Sequence, residues 1–320
     1  MKKKIIRAAA AILVLTVALS FAFSGCSNKK DGGDETTTMP PEAVEAVQTL
    51  KLPYSKGDKL NPFTATSMLN QQLMPLIYDG LFALDKNYNP QPLLASNYSR
   101  SGRTLTVSLA SAKFSDGSSV SASDVVASFE SAKKSPAYKT QLANFSSAKV
   151  SGNSVVFSLA DDDPYAVNCL TFAVTKGGST EDGAAGRGRY TYSSENGVGY
   201  LKASSARGNF SPKKTSITLY DVKDLSMLKY TLAIGNISFA FDDLRGGSYT
   251  RYSSSVADIL MNNLVYLAFN KSSSALSSEK VRQAVALAID RAKLADESFQ
   301  GHAKAAYTPV SYTHLRAHET

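Results

Sequence analysis

The chain has 320 residues, 43% of them apolar, with 14 Phe, 16 Tyr, no Trp and two Cys. That is enough apolar side chain for a sizeable core, and more length than one ordinary domain needs. The formal charge of +8 is partly terminal (Lys2, Lys3, Lys4 and Arg7) and gives no case for a nucleic-acid partner.

Taken in chain order, those cations form a basic n-region. Ala8 to Phe23 then runs sixteen residues without a charge. This is short for a spanning helix, which needs roughly 20 apolar residues, and it suits a signal-peptide h-region over residues 1–25. Phe23-Ser24-Gly25-Cys26 resembles the bacterial lipobox, with Phe23 where Leu is usual. Cleavage before Cys26 would remove four cations and no anion, taking the charge from +8 to about +4. The resemblance implies acylation at Cys26; one chain binds a membrane marginally and two bind it stably. An ordinary signal peptide with an incidental cysteine is the alternative. With Cys26 acylated, Cys169 has no intramolecular partner, and it reads as a small core residue rather than a nucleophile.

Residues 26–47 are polar, with Gly, Thr and Pro, and read as a flexible tether. "QTLKLPYS" predicts a first strand. "LNQQLMPLIYDGLF" places Leu69, Leu73 and Ile77 four apart on a helical stripe; Pro75 conflicts with it and predicts a kink or a helix start. "TLTVSLAS" alternates Leu105, Val107 and Leu109 as a half-buried strand, and "SDGSS" turns the chain. Ser121 and Asp124 form a capping box ahead of Val125 and Phe129. "AKVSGNSVVFSLA" predicts a hairpin with Val155, Phe157 and Leu159 inward. "SITLYDV", "ISFAF" and "NLVYLAFN" read as further strands. "SSEKVRQAVALAIDRAKL" predicts a helix with Val281, Ala284, Val285, Ala288 and Ala292 as its buried stripe and Ser277 as N-cap. The pattern is α/β with mixed sheets.

"LNPF", "LIYDGLF", "KFSDGSSVSASDVVASF", "GRGRY" and "LAFNKSSSALSSEKVRQAVALAIDR" stand in the order seen in family 5 extracellular solute-binding proteins, the peptide/nickel-type receptors of ABC importers. The resemblance covers about residues 48–310. Departures are Ser121 and Ser123 in the third motif, and Arg187 and Arg189 where Thr and Pro are usual.

The resemblance implies a periplasmic-binding-protein-like type II two-lobed clamp, closing by a hinge over its ligand. Residues 48–88 and 186–270 would form a discontinuous first lobe, 89–185 an inserted subdomain, and 271–310 the start of a second lobe, largely missing here. Residues 311–320, "SYTHLRAHET", do not fit the pattern and read as a foreign-looking tail.

The resemblance also implies ligand contacts from Thr64, Ala65, Thr66 and Ser67, from Asp242 and Asp243, and from Asn263 and Tyr266, with a structural role the alternative for each. The implied function is an extracytoplasmic, lipid-anchored receptor that delivers an oligopeptide or dipeptide to the permease subunits of an ABC importer. Nickel complexes and oligosaccharides stay open as solutes. A secreted, membrane-anchored hydrolase and a tethered sensor or interaction protein are the other readings.

No catalytic residue, metal or cofactor is expected. Outside the tail the one histidine is His302. "DDDP" at 161–164 points its carboxylates to alternate faces if extended, so it does not make a calcium site. "GAAGRGRY" lacks the Lys-Ser/Thr of a phosphate loop and reads as a turn or hinge. Arg187 and Arg189 face solvent by default, a ligand carboxylate being the alternative.

Overall fold

The computed structural model describes residues 50–208, 210–242, 251–259 and 264–307. The chain divides into two units, Met1–Ala46 and Val47–Thr320, and every element below belongs to the second. Cys26, the tether, Asp243, Asn263 and the 311–320 tail lie outside the described residues.

Strand β1 (Lys51–Tyr54) buries Leu52 and Tyr54. Its Pro53 has no N–H to give, which suits the strand's place at the edge of its sheet. Helix α1 (Met68–Ile77) follows, with Leu69, Leu73 and Ile77 buried as the four-residue spacing predicts. Pro75 neither starts the helix nor stops it at once. It falls in the last turn, where only the Gln71 carbonyl forfeits a donor, and the chain becomes extended at Tyr78. Asn70, wholly buried in α1, ties down the preceding loop: its side-chain oxygen accepts from the Ser55 N–H at 2.8 Å and its amide donates to the Ser55 carbonyl at 3.0 Å.

Short strands β2 (Phe82–Leu84) and β3 (Pro90–Pro92) form a pair. Next come β4 (Ala95–Ser101), β5 (Thr104–Leu109), helix α2 (Ala122–Lys134), β6 (Phe145–Ser151) and β7 (Ser154–Leu159). These strands make an antiparallel sheet in the order β4-β5-β7-β6. The predicted alternation holds, since Leu105, Val107, Leu109, Val155, Phe157 and Leu159 are all buried. Gly152, with φ +59°, turns the β6–β7 hairpin. Helix α2 starts at the predicted capping box: Ser121 Oγ accepts from the Asp124 N–H at 3.3 Å, and Asp124 Oδ2 accepts from the Ser121 N–H at 2.9 Å. It lays Val125 and Phe129 on the sheet. The Phe129 ring sits 5.5 Å from Phe157 and 6.2 Å from Phe145, tilted or edge-on in each case.

The chain then returns to the first sheet through β8 (Tyr190–Glu195), β9 (Val198–Ala203) and β10 (Ser216–Asp221). The order is β1-β10-β9-β8, with β1 parallel to β10 and the other pairs antiparallel. The fold is thus α/β with mixed sheets. Among the described residues there are two larger hydrophobic cores and a smaller cluster of Leu69, Val222, Leu228 and Ile237. One larger core belongs to the β4–β7 sheet and α2; the other joins the β1 sheet to Leu73, Met74, Ile77 and Tyr78 of the α1 region.

Several predicted elements are corrected C-terminally. "ISFAF" is not a strand. Ser238 donates its N–H to the Lys51 carbonyl, but its side-chain oxygen takes the Lys51 N–H in return, so no ladder continues. Before it lies an unpredicted short helix, α3 (Leu228–Ala233). Residues 264–270 are irregular rather than a strand, with Val265, Tyr266 and Leu267 exposed. The one helix predicted around 281–292 is two, α4 (Glu279–Ala288) and α5 (Arg291–Phe299). Asp290 causes the break: its side chain accepts from the Lys293 N–H at 2.9 Å and caps the second helix. The residue preceding α4 is Ser278, not Ser277, whose hydroxyl donates instead to the Ser274 carbonyl. No residue of α4 is buried, so the predicted stripe lies on the surface of the described residues.

Candidate functional site

The segment Thr64–Ser67 reaches α1 already fixed by its own hydrogen bonds. The Ala65 N–H donates to the Asn61 carbonyl at 3.0 Å. Asp58 Oδ2 accepts from the N–H groups of Thr66 at 2.9 Å and Ser67 at 2.7 Å, and Asp58 Oδ1 from the Thr66 hydroxyl. Three of the four residues thus have their amides committed internally. Thr64 Oγ1 is buried and has no hydrogen-bond partner among the described residues.

Beyond Ser67 the first residue of α1, Met68, forms one wall of a cleft of about 310 Å³. Leu225 and Leu228 complete its apolar lining, and Ser226, Lys229, Asp242 and Tyr252 supply the polar groups. Asp224 fixes the turn that carries Leu225 and Ser226. Its carboxylate accepts from the Ser226 N–H at 2.8 Å, which holds it below the usual carboxylate range. Gln72 ties α1 to the opposite side by donating to the Phe241 carbonyl at 3.2 Å. Asp242 follows directly and accepts from the Tyr252 hydroxyl at 2.8 Å. Lys229, on α3, lies 5.0 Å from the Tyr230 ring. An apolar wall flanked by one carboxylate and one ammonium can hold a molecule with an apolar body and both charges.

Of the predicted ligand residues, Asp242 lines this cleft; Thr64, Ala65, Thr66 and Ser67 do not, although Ser67 directly precedes Met68. Tyr266 does not line this cleft; it is exposed in the irregular 264–270 stretch. Lys229, Leu225 and Tyr252 were not predicted, because nothing in local sequence distinguishes them from ordinary surface residues.

A second cluster lies at the other end of α1. Asp79, in "LIYDGLF", is 2% exposed. Its Oδ2 accepts from Arg187 Nη1 at 2.8 Å, and Arg207 Nη1 lies 3.5 Å from its Oδ1. Burial pushes its carboxyl up against the opposing pull of Arg207 and Arg187. Arg187 thus points inward, contrary to its expected solvent exposure, while Arg189 is exposed over the Phe210 ring at 5.8 Å. The signal available in the sequence was a lone carboxylate inside an apolar run. "GRGRY" packs as tightly as its glycines allow: a Cβ on Gly188 would lie 2.2 Å from the Ile77 carbonyl carbon. The Gly188 N–H donates to the Ile77 carbonyl at 2.8 Å.

The remaining candidate groups are structural. Asp162 pairs with Arg100, and Asp163 caps the Tyr165 N–H at 2.8 Å, so these two carboxylates have separate partners. Among the described residues no group of three His, Cys, Asp or Glu could hold a metal ion. Cys169 is half-buried, and burial chiefly, with Asp163 adding, pushes its thiol up, away from nucleophilic thiolate. No helix among the described residues is long and apolar enough to cross a membrane.

Residues 242–320 match the family model described as bacterial extracellular solute-binding proteins, family 5 Middle. Glutathione-binding protein GsiB of Escherichia coli O1:K1 / APEC is 25% identical over 324 residues, covering 90% of this chain and 63% of its own length. GsiB of Pectobacterium atrosepticum is 26% identical over 275 residues, 78% of this chain and 53% of that one. The chain thus spans less than two thirds of the curated relatives it matches. Among solved structures, the nickel ABC transporter from Bacillus halodurans aligns with a TM-score of 0.63 at 19% identity over 83% of this chain and 58% of that one. The oligopeptide-binding protein AppA from Bacillus subtilis, in complex with a nonapeptide, aligns with 0.59 at 21% over 82% and 58%. The fold is that of type II periplasmic binding proteins, and the chain is similar to family 5 of the bacterial extracellular solute-binding proteins, whose model matches its residues 242–320.

Proposed function

We propose that the protein is an extracytoplasmic receptor that captures a peptide-like solute and delivers it to an ABC importer. The observation that carries this is the cleft between Met68 and Asp242, where Lys229 and Asp242 flank an apolar lining. A peptide has an amine, a carboxylate and apolar side chains, and so complements all three features. The names of the relatives are consistent with it, since glutathione is itself a peptide and AppA is an oligopeptide-binding protein. Calorimetric titration with glutathione, a mixed peptide library and nickel–histidine tests the reading. Peptide should bind, and Asp242→Asn should weaken it about tenfold, the worth of one charge-assisted hydrogen bond. Unchanged peptide affinity in that variant would remove Asp242 from the site, and binding of nickel–histidine alone would replace the solute class.

Residues 48–88 and 186–270 form a first lobe in this reading, with 89–185 inserted. Membership of the two four-stranded sheets supports it, since one draws on 51–54 and 190–221 and the other lies wholly within 95–159; the β2–β3 pair, 82–84 with 90–92, bridges the 88/89 boundary. The order of cations, apolar run, small residues and cysteine supports a lipid anchor at Cys26. Cys26→Ser should move the protein from the membrane to the soluble fraction on cell fractionation; continued membrane attachment rules that anchor out.

A further inference from the structure

We propose that Arg187, Arg189 and Arg207 form a second binding site, for a small oxyanion, at the carboxyl end of α1. The arginines exceed what their neighbours need. Asp79 supplies one negative charge, and a helix carboxyl end supplies about half of another. Three guanidinium groups therefore leave an excess of about one and a half positive charges.

Hydrogen bonding gives the same imbalance. Each guanidinium carries five N–H donors, and one carboxylate offers about four acceptor positions. Arg187 spends Nη1 on Asp79, while its Nε is buried with no hydrogen-bond partner among the described residues. Arg207 stands 3.5 Å from Asp79, beyond a good hydrogen bond. Asp79 and Arg187 make a closed floor; half-buried Arg207, 3.5 Å from Asp79, and exposed Arg189, which stacks over the Phe210 ring and is near enough for its charge to act on Asp79, make an open rim. Planar guanidinium groups are matched in shape and charge to carboxylate and phosphate oxygens. Asp79 is a positioning residue, because it holds Arg187 in place against the Ile77–Tyr78 corner.

This site is separate from the solute cleft. Met68 lies at the amino end of α1 and Ile77 at its carboxyl end. Nine residues at a rise of 1.5 Å put them about 14 Å apart along the axis. The inference goes beyond the receptor reading and does not depend on it.

The test is titration of the 320-residue chain, at low chloride, with phosphate, sulfate and succinate in separate calorimetric runs. At least one should bind with a dissociation constant on the order of 1 mM. Arg189→Gln and Arg207→Gln should each weaken it about tenfold, the loss of a charge-assisted contact. Arg189 is exposed, so its variant keeps the test open even if the Arg207 variant folds poorly. Asp242→Asn should leave this binding unchanged, which separates failure here from failure of the solute cleft. Binding of phosphate and sulfate assigns a tetrahedral ligand, and binding of succinate alone assigns a carboxylate; either supports the site. No heat from any of the three to about 20 mM, or equal affinity in both arginine variants, overturns it.

Discussion

Asp79 and Arg187 are 108 residues apart in sequence and joined at 2.8 Å in the fold. The contact ties together two crossing segments. Residues 78–80 lead from α1 toward the β2–β3 pair and the core of the β4–β7 sheet, and residues 186–189 lead back into β8. The Asp79 carbonyl also accepts from the Val174 N–H at 3.0 Å, which brings a third segment to the same point. The pair thus sits where the chain passes between its two larger cores.

Removing one partner of a buried ion pair leaves an uncompensated charge. Arg187→Ala should therefore cost about 3 kcal/mol, toward the low end of the usual range because Arg207 stays nearby. Urea unfolding measures it. A double-mutant cycle with Asp79→Asn should return a coupling of about 1–3 kcal/mol. A coupling near zero would mean that Arg187 packs there without using its charge.

Gly188 is held by close approach, not by an unusual backbone angle. Its missing Cβ would fall 2.2 Å from the Ile77 carbonyl carbon, an atom of the backbone that has no rotamer to change. Gly188→Ala should destabilise by about 1–3 kcal/mol or more, as overpacking does. Gly57→Ala, where nothing lies within 4 Å of the new Cβ, is the matched control and should be near neutral. Equal melting temperatures for the two variants would contradict the packing.

Phe129 is fully buried and meets the rings of Phe145, Phe157 and Phe172. Truncation removes its transfer free energy and leaves a cavity among rings that cannot collapse into it. Phe129→Ala should cost about 3–5 kcal/mol. Phe129→Leu should recover much of that by keeping most of the volume. Denaturant midpoints at constant slope would measure both.

The Asp116 carboxyl is held well below the usual carboxylate range, first by Lys176 Nζ at 2.7 Å and then by the Ser118 hydroxyl and N–H. A depressed folded value means that the unfolded chain binds the proton more tightly. The contribution is therefore fully present above the ordinary aspartate value of about 3.9. It is lost as pH falls below that point toward the folded value. Asp116→Asn should flatten the acid side of the stability–pH curve below about pH 4 and leave its slope at neutral pH unchanged. An unchanged acid limb would show that other carboxylates carry it.

Much of this fold was determined by the sequence alone, wherever the deciding interactions are local or periodic. The capping box at Ser121 and Asp124 is complete within four residues. Alternation in 105–109 and 155–159 assigns the buried face whatever partner arrives, because side chains in a strand alternate by geometry. The order of the family motifs led to the correct fold class. Tertiary structure decided what depends on distant partners. "ISFAF" has strand-like composition, yet Ser238 turns its side chain onto Lys51 and no ladder forms. The 281–292 pattern is helical throughout, yet Asp290 caps a new helix because its carboxylate is more stable on the Lys293 N–H than continuing the turn. Asp79 and Arg187 could each be read as polar surface from their neighbours in sequence. Only the return of the chain past Ile77 puts them together, and there a buried carboxylate must have a cation because water no longer solvates it. The cleft follows the same rule. Met68, Lys229 and Asp242 come from three separate stretches, and their shared lining exists only once α1 and the 225–242 segment are packed side by side.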